Sequence, residues 1–383
     1  MVDFDSAKDD LPRSIWQLGI YDAHCHPTDN YKKLAKALDI LDIAKLTVMA
    51  TRLDDQVRVH DATVKHPDRI IPSFGYHPWF THLLYTTTLP PESKYSHYRA
   101  VLVPEPPEQF LELLPEPVSL SSFIEILTEN IERHKYALVG EIGIDRSFRL
   151  PNSGELISFE ESDTGDDAGD SSEGVAGHSP SDAKRLSPYK VTLEHQIAVL
   201  LAQLCVAAKY QRPVSVHGVQ AHGILYAIFS ELWMGYSIPS RRQQKRETEE
   251  QRFVVCEVED EAEHLASSDP PPFPPRICLH SYSGPPDQIR LWTSRKVPAA
   301  VYFSFSLVIN SRYGEKLRQV LSAVPDDRLL VESDFHVAGK TMQALLAEIV
   351  KFICEVKGWE LEQGVRILGK NWRRFVYGID DFD

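Results

Sequence analysis

His24 and His26 stand on either side of Cys25, directly after the apolar run at residues 16–23. In an extended segment, residues i and i+2 project to the same side, so both imidazoles can face one metal ion, although two such histidines can also be loop residues without a ligand role. Side chains of metal-binding type also follow later apolar runs: Glu141, His217, His280 and Asp334. Four imidazoles and two carboxylates suit two divalent cations of the zinc, manganese or magnesium kind, with the nitrogen ligands favouring zinc or manganese.

The elements that must position these groups are eight short apolar runs rich in β-branched residues, at 16–23, 46–50, 70–74, 136–142, 213–217, 276–280, 300–305 and 328–332. Stretches with helical periodicity lie between several of them. Continuous apolar strands that alternate with amphipathic helices indicate a parallel sheet covered by helices, and eight such units predict an α/β fold of the TIM (β/α)8 barrel type. Every strand of such a barrel ends on the same face, so the six candidate ligands are expected to converge there.

We expect one domain over residues 1–383, with three long insertions in the middle units of the barrel. Trimming the three overlong strand-to-strand intervals to about 30 residues leaves about 267 residues, which is the size of one barrel. The insertions span about 85–117, 151–186 and 237–275. The second insertion is acidic and has little to bury, which predicts disorder, and the third ends in the polyproline-like sequence DPPPFPP.

The charge balance limits the partners that the chain can bind. The sequence has 41 Lys+Arg against 55 Asp+Glu and a formal net charge of −14, so a polyanion would have to be bound locally rather than by a broad basic surface. The five cysteines form no C-x-x-C pair, which argues against a disulfide framework and a thiolate zinc site. The N-terminal segment is polar and acidic, and no run reaches the roughly 18 apolar residues of a membrane span. We therefore expect a cytoplasmic and/or nuclear monomer that associates with no membrane.

Several sequence blocks together resemble the TatD family of metal-dependent deoxyribonucleases, of the fungal TatD-like type, in the amidohydrolase-like superfamily of barrels. The most distinctive blocks are DAHCH (22–26), SFGYHPW (73–79), GEIGID (140–145), HSYSG (280–284) and RLLVESDF (328–335). The resemblance covers nearly the whole chain outside the insertions. It implies that His24, His26, Glu141 and Asp334 hold one metal ion, that Glu141, His217 and His280 hold a second, and that Glu141 bridges the two.

The remaining candidates concern catalysis and substrate binding. Asp334, or alternatively Glu141, is the expected general base or water-orienting group, because each carboxylate could contact a metal-bound water. His77, Trp79 and Tyr282 are the candidate substrate-binding residues. His77 could contact a phosphate or simply form a His–Pro turn, and Trp79 could stack on a base or pack a loop onto the barrel mouth.

Two positions depart from the family pattern. Val219 lies in the segment after His217 where the family usually has an arginine, and Trp79 replaces the second histidine of the HPH motif. Both departures remove groups that could touch phosphate, and neither removes a metal ligand. Asp145 could orient a metal ligand or merely cap the following segment, and His222 and His336 are close enough in sequence to help the site.

The first functional expectation is a deoxyribonuclease that uses two divalent metal ions and an activated water. A two-metal hydrolase of another phosphoester or of an amide is an alternative, because related barrels reuse this site. Another alternative is a binding protein, since TatD-like proteins of fungi include partners of a cell-cycle ubiquitin-ligase subunit. The acidic and Pro-rich insertions could then dock a protein partner, although solvated linkers have the same composition.

Overall fold

The computed structural model describes residues 11–153, 186–236 and 270–379. Eight parallel strands form one sheet, and their order in the sheet is their order along the chain. They are β1 (Tyr21–Cys25), β2 (Lys45–Met49), β3 (Ile70–Phe74), β4 (Leu138–Asp145), β5 (Val214–Val219), β6 (Arg276–Leu279), β7 (Ala300–Phe305) and β8 (Leu329–Val331).

The two ends of this sheet meet just beyond β1 and β8. The backbone N–H of Asp334 donates to the carbonyl of His24 at 3.0 Å, and the N–H of His26 donates to the carbonyl of Phe335 at 2.9 Å. These bonds bring the first and last strands together, so the predicted TIM-type (β/α)8 barrel is confirmed. They also place the His-x-His segment directly beside Asp334.

Helices cover the outside of the barrel. The α-helices are α1 (Arg13–Trp16), α2 (Tyr31–Leu38), α3 (Leu53–Lys65), α4 (Lys94–Val101), α5 (Glu108–Leu113), α6 (Leu120–Arg133), α7 (Leu193–Lys209), α8 (His222–Leu232), α9 (Pro286–Trp292), α10 (Leu307–Asn310), α11 (Glu315–Ala323), α12 (Lys340–Lys357) and α13 (Leu361–Tyr377). Short 3-10 turns span Pro27–Asn30, Pro78–Leu83, Ser311–Tyr313 and Asp326–Arg328. Within the described parts of the chain, no helix has both the length and the apolarity that crossing a membrane requires.

The barrel interior changes from apolar to polar along β3, β6, β7 and β8. Ile71, Cys278, Tyr302 and Leu330 form a buried cluster with Trp372 and Phe375 of α13. Two residues further along the same strands, and therefore on the same face, stand the buried polar groups Ser73, His280, Ser304 and Glu332. The apolar layer supports the barrel, and the polar layer above it opens toward the carboxyl ends of the strands, where active sites of this fold are built.

The first predicted insertion is folded. It contains α4 and α5, and its strand Leu102–Val103 pairs antiparallel with Lys190–Val191. A separate buried cluster holds it together, made of Tyr98, Val101, Leu102, Phe110, Leu111, Leu114, Leu150 and Val191. Most of the second predicted insertion, with its expected disorder, and most of the third lie outside the described residues. The assignment of the chain to one domain stays a prediction.

Candidate metal centre

Glu141 lies at the centre of a buried group of histidines. Its Oε1 atom is 2.7 Å from His280 Nε2, 2.9 Å from His217 Nδ1 and 3.0 Å from His77 Nε2. Its Oε2 atom lies 3.4 Å from the Nε2 atoms of both His24 and His26. The two carboxylate oxygens therefore face two different sets of imidazoles, which is the arrangement that a bridging ligand needs.

Asp334 completes the set on the His24 and His26 side. Its Oδ1 atom lies 3.6 Å from His26 Nε2 and 3.8 Å from His24 Nε2. The residue has a φ of +51°, a left-handed conformation that a short polar side chain tolerates better than a bulky one. Its side chain is 12% exposed, against 4% for Glu141, so Asp334 is the carboxylate nearer to the solvent side of the cluster.

Gly143 allows β4 and β5 to bring Glu141 and His217 together. Its φ is +152°, and a Cβ atom at this position would lie 2.0 Å from the carbonyl oxygen of His217. A residue with a side chain could not occupy this position without separating the two strands. Gly143, the second glycine of the GEIGID block, is therefore required for the close approach of two candidate ligands.

The electrostatics of the cluster favour ionised carboxylates. Burial by itself raises the pKa of Glu141, but interactions with the surrounding imidazoles of His77, His280, His24 and His217 outweigh it and hold this pKa well below its usual value. The pKa of Asp334 is likewise lowered, because contacts with His26 and the charges of His24 and His280 outweigh the effect of burial. Burial lowers the pKa of His77 to about 4 even though Glu141 is close, so His77 is neutral near pH 7.

The donor set fits divalent metal ions. Three groups each place their possible ligand atoms within 4.8 Å of one another, and all members are buried: His24, His26 and Glu141; His77, Glu141 and His217; and His24, His280 and Glu332. Imidazole nitrogens and carboxylate oxygens are typical ligands of zinc and manganese. The sequence predicts that His77 binds the substrate, whereas the structure also places it among the possible ligands. Glu332 is a further possible ligand that the sequence prediction does not include, although the two-residue alternation along β8 from Leu330 indicates an inward-facing side chain at this position.

Asp145 contacts His217, and Trp79 in turn contacts Asp145. Asp145 Oδ2 lies 3.1 Å from His217 Nε2 and accepts the indole N–H of Trp79 at 2.7 Å. The other oxygen of Asp145 accepts the backbone N–H groups of Ser147 and Phe148, so this residue both orients a candidate ligand and caps the following turn. One face of Trp79 stacks on Phe148 with the ring centroids 4.7 Å apart. The family's missing histidine is thus replaced by a side chain that helps to position Asp145.

The other predicted site residues lie around this cluster. Tyr282 is only 2% exposed, and its hydroxyl donates to the carbonyl of Pro285 at 3.0 Å. His222 Nε2 lies 3.2 Å from Ser283 Oγ, and His336 pairs with Asp29 and stacks on His26. Substrate binding by His77, Trp79 and Tyr282 and the assignment of each metal ligand remain predictions.

Comparison with known proteins identifies the family. The family model described as TatD related DNase matches residues 21–377. The Cut9-interacting protein scn1 of Schizosaccharomyces pombe is 37% identical over 371 residues, which cover 93% of this chain and 98% of that protein. An uncharacterized deoxyribonuclease of Saccharomyces cerevisiae is 26% identical over 315 residues, or 79% of this chain and 80% of that protein.

Solved structures share the fold at low sequence identity. A TatD family hydrolase of Entamoeba histolytica superposes with a TM-score of 0.53 at 12% identity, covering 94% of this chain and 99% of that one. A TatD homologue of Escherichia coli gives a TM-score of 0.51 at 18% identity, with 94% and 98% covered. The sequence blocks, the barrel and the family match agree over almost the whole chain, and the protein therefore belongs to the TatD-related DNase family.

Proposed function

We propose that this protein is a metal-dependent phosphodiesterase that hydrolyses DNA with the help of two divalent ions. The observation that carries the proposal is the position of Glu141, whose two oxygens face separate sets of imidazoles. Family membership supports a metal-dependent hydrolase, and the relative from Saccharomyces cerevisiae that is named a deoxyribonuclease supports a nuclease.

The candidate ligands form two groups, one for each metal ion, and one of the ligands is also the proposed base. His24, His26 and Asp334 would hold one ion and His217 and His280 the other, with Glu141 shared and His77 available to the second group. When bound, such ions polarise a phosphoryl oxygen and lower the pKa of a water molecule. Asp334 is the more exposed carboxylate of the centre, so it can accept the proton of the attacking water.

Exposed cations near the carboxyl ends of β4, β5 and β6 are suited to the phosphates of a substrate. Arg146 follows Asp145 directly, and its guanidinium reaches the carbonyl of Gln220 at 3.4 Å, just beyond β5. Lys316 Nζ lies 3.0 Å from the carbonyl of Ser283, three residues past His280. Arg146 places a positive charge beside the segment where Val219 replaces the usual arginine of the family. Binding of substrate phosphates by a few local cations suits a chain whose net charge is −14.

The direct test measures bound metal and DNA hydrolysis in one preparation. We expect about two zinc or manganese ions per chain, cleavage of end-labelled DNA and loss of cleavage with a chelator. Glu141→Ala should lose most of the metal, because this carboxylate serves both groups. A wild-type protein that binds metal but cleaves only phosphomonoesters or amides would reject the DNase assignment, and unchanged metal content in Glu141→Ala would reject the bridging role.

A protein-binding function is the second candidate, because the relative at 37% identity carries the name Cut9-interacting protein. The acidic and Pro-rich insertions at 151–186 and 237–275 are the proposed docking segments. A pull-down with a Cut9-type protein tests this role, with Glu141→Ala as the control that separates docking from hydrolysis. Equal capture by the wild type and by a chain without both insertions would reject these segments as the docking site.

A further inference from the structure

A third buried carboxylate, Glu332, lies on the far side of His280 from Glu141. It follows β8 and has no exposed surface. His280 presents its Nε2 atom to Glu141 at 2.7 Å, while its Nδ1 atom lies 3.8 Å from Glu332 Oε1. The imidazole therefore stands between two carboxylates, one at each ring nitrogen.

The polar atoms between His280 and Glu332 are incompletely paired. His280 Nδ1 and Glu332 Oε2 are both buried, and neither has a hydrogen-bond partner among the residues that the structure describes. Leaving a buried donor or acceptor unpaired costs about 1–3 kcal/mol, so a small side-chain rotation that joins these two atoms would be favourable.

Glu332 also holds the backbone beside His280. Its Oε1 atom accepts the N–H of Ser281 at 2.8 Å and the Ser281 hydroxyl at 2.5 Å. Ser281 has a φ of +40°, which is unusual for a residue other than glycine. The same hydroxyl lies 3.4 Å from Asp334 Oδ2. Glu332 thus connects the segment after β6 with the segment after β8, and each of these segments carries a candidate ligand.

We propose that Glu332 is a positioning residue that accepts the Nδ1–H of His280 and so directs Nε2 toward Glu141 and the metal ion. The inference rests on the proposed metal centre. A histidine that ligates a metal through one nitrogen normally donates its other N–H to a carboxylate or carbonyl, which fixes the ring and the tautomer. Oε1 of Glu332 already accepts the two donors of Ser281, so the unpaired Oε2 is the atom left to accept the Nδ1–H of His280, and Glu332 then acts through His280.

The first measurement is the affinity for Zn²⁺, determined by competition with a chromophoric chelator. Glu332→Gln keeps an acceptor for Ser281 but replaces the carboxylate that faces Nδ1, and we expect it to bind Zn²⁺ about 10–100-fold more weakly. Asp55→Asn is the matched control. Asp55 is also buried and its Oδ2 atom also accepts the N–H and hydroxyl of one residue, Thr51, but it forms no ion pair with an imidazole in the described parts of the chain. We expect its affinity to stay within about threefold of the wild type, a small change on the same scale.

The second measurement begins with the wild type. In the Zn²⁺-loaded wild type with ¹⁵N-labelled histidine, long-range proton–nitrogen spectra should show His280 with a proton on Nδ1 and none on Nε2. That proton should exchange slowly with water, and in Glu332→Gln it should exchange faster. These readouts would not move if Glu332 only supported the fold.

The outcomes separate this inference from the proposed function. A wild-type protein that binds no Zn²⁺ would overturn both. Tight binding by the wild type together with equal affinity in Glu332→Gln, or with an unprotonated Nδ1 in His280, would overturn only the role of Glu332. If Glu332→Gln does not fold, the spectrum of the wild type still decides.

Discussion

At the scale of single residues, Asp334 and Asp326 bracket β8 and make a matched pair. Asp334 follows the strand and faces His24 and His26, whereas Asp326 precedes it, is exposed and pairs with Lys357 at 3.1 Å. The two aspartates therefore lie at opposite ends of one barrel strand. Only the carboxyl end is expected to take part in chemistry.

We expect Asp334→Asn to lower the rate of DNA hydrolysis by at least about a hundredfold, because the amide cannot accept the proton of the attacking water. Asp326→Asn should leave the rate within about twofold, since it lies outside the site. Single-turnover kinetics with circular-dichroism melts of each variant measure both effects. Near-normal hydrolysis by a folded Asp334→Asn protein would exclude this residue as the base.

Arg146 is the residue for which we expect an effect on binding rather than on chemistry. Arg146→Ala should raise the dissociation constant for DNA about tenfold, with little change in kcat. The slope of the logarithm of this constant against the logarithm of the salt concentration should fall by about 1, because one phosphate contact is lost. Arg133→Ala is the control, because this exposed arginine ends α6, which leads to the amino end of β4. Equal affinities and equal salt dependence in both variants would show that Arg146 does not face the substrate.

At the scale of elements, three buried histidines join the folded insertion to the barrel. His97 of α4 contacts the carbonyl of His82 at 2.8 Å, and His195 of α7 contacts the carbonyl of Thr81 at 2.8 Å. Burial lowers the pKa of all three, and it lowers that of His82 to about 3 from an ordinary value of 6.5. The interface therefore favours the neutral form of these three imidazoles.

This burial predicts a loss of stability in acid. Below pH 6.5 the unfolded chain binds protons that His82 in the folded chain does not bind until about pH 3, so the free energy of unfolding should fall as the pH decreases through this window. His82→Gln keeps a neutral hydrogen-bonding side chain and should show a weaker pH dependence in thermal melts. Parallel pH profiles for the variant and the wild type would mean that His82 does not titrate as its burial predicts.

At the scale of the whole molecule, the acidic insertion contributes much of the net charge. The nine acids of residues 154–183 and the absence of Lys and Arg there mean that deletion would change the net charge from −14 to −14 + 9 = −5. The described ends of this insertion are already close, since Pro151 pairs with Leu186 and the N–H of Ser187 donates to the carbonyl of Leu150 at 2.8 Å. A short turn can therefore replace the segment.

We expect this deletion to accelerate DNA cleavage at low salt, because it removes negative charge that repels the substrate. The gain should shrink near 0.15 M salt, where screening acts over about 8 Å. Replacing the nine acids by their amides is the control that keeps the length. Faster cleavage in the deletion but not in the amide variant would assign the effect to the length of the segment rather than to its charge.

The barrel and the identity of most groups at its mouth can be predicted from the amino-acid sequence. Apolar runs are local features, and a polar residue that ends a run, such as His280, lies at or near a strand end of whatever sheet the runs build. The His-x-His pair follows from the same local rule, because alternate residues share a face. For these residues, the type and the position along the chain were sufficient.

Which of these groups come into contact depends on the tertiary structure. Glu141 contacts His77, His217 and His280 because neighbouring strands have a particular register and Gly143 permits their approach, and no local pattern specifies that register. The partnership of Glu332 with His280 and that of Trp79 with Asp145 join residues more than 50 positions apart. Such contacts depend on how the strands close around a common axis, so the spacing of residues along one strand cannot predict them.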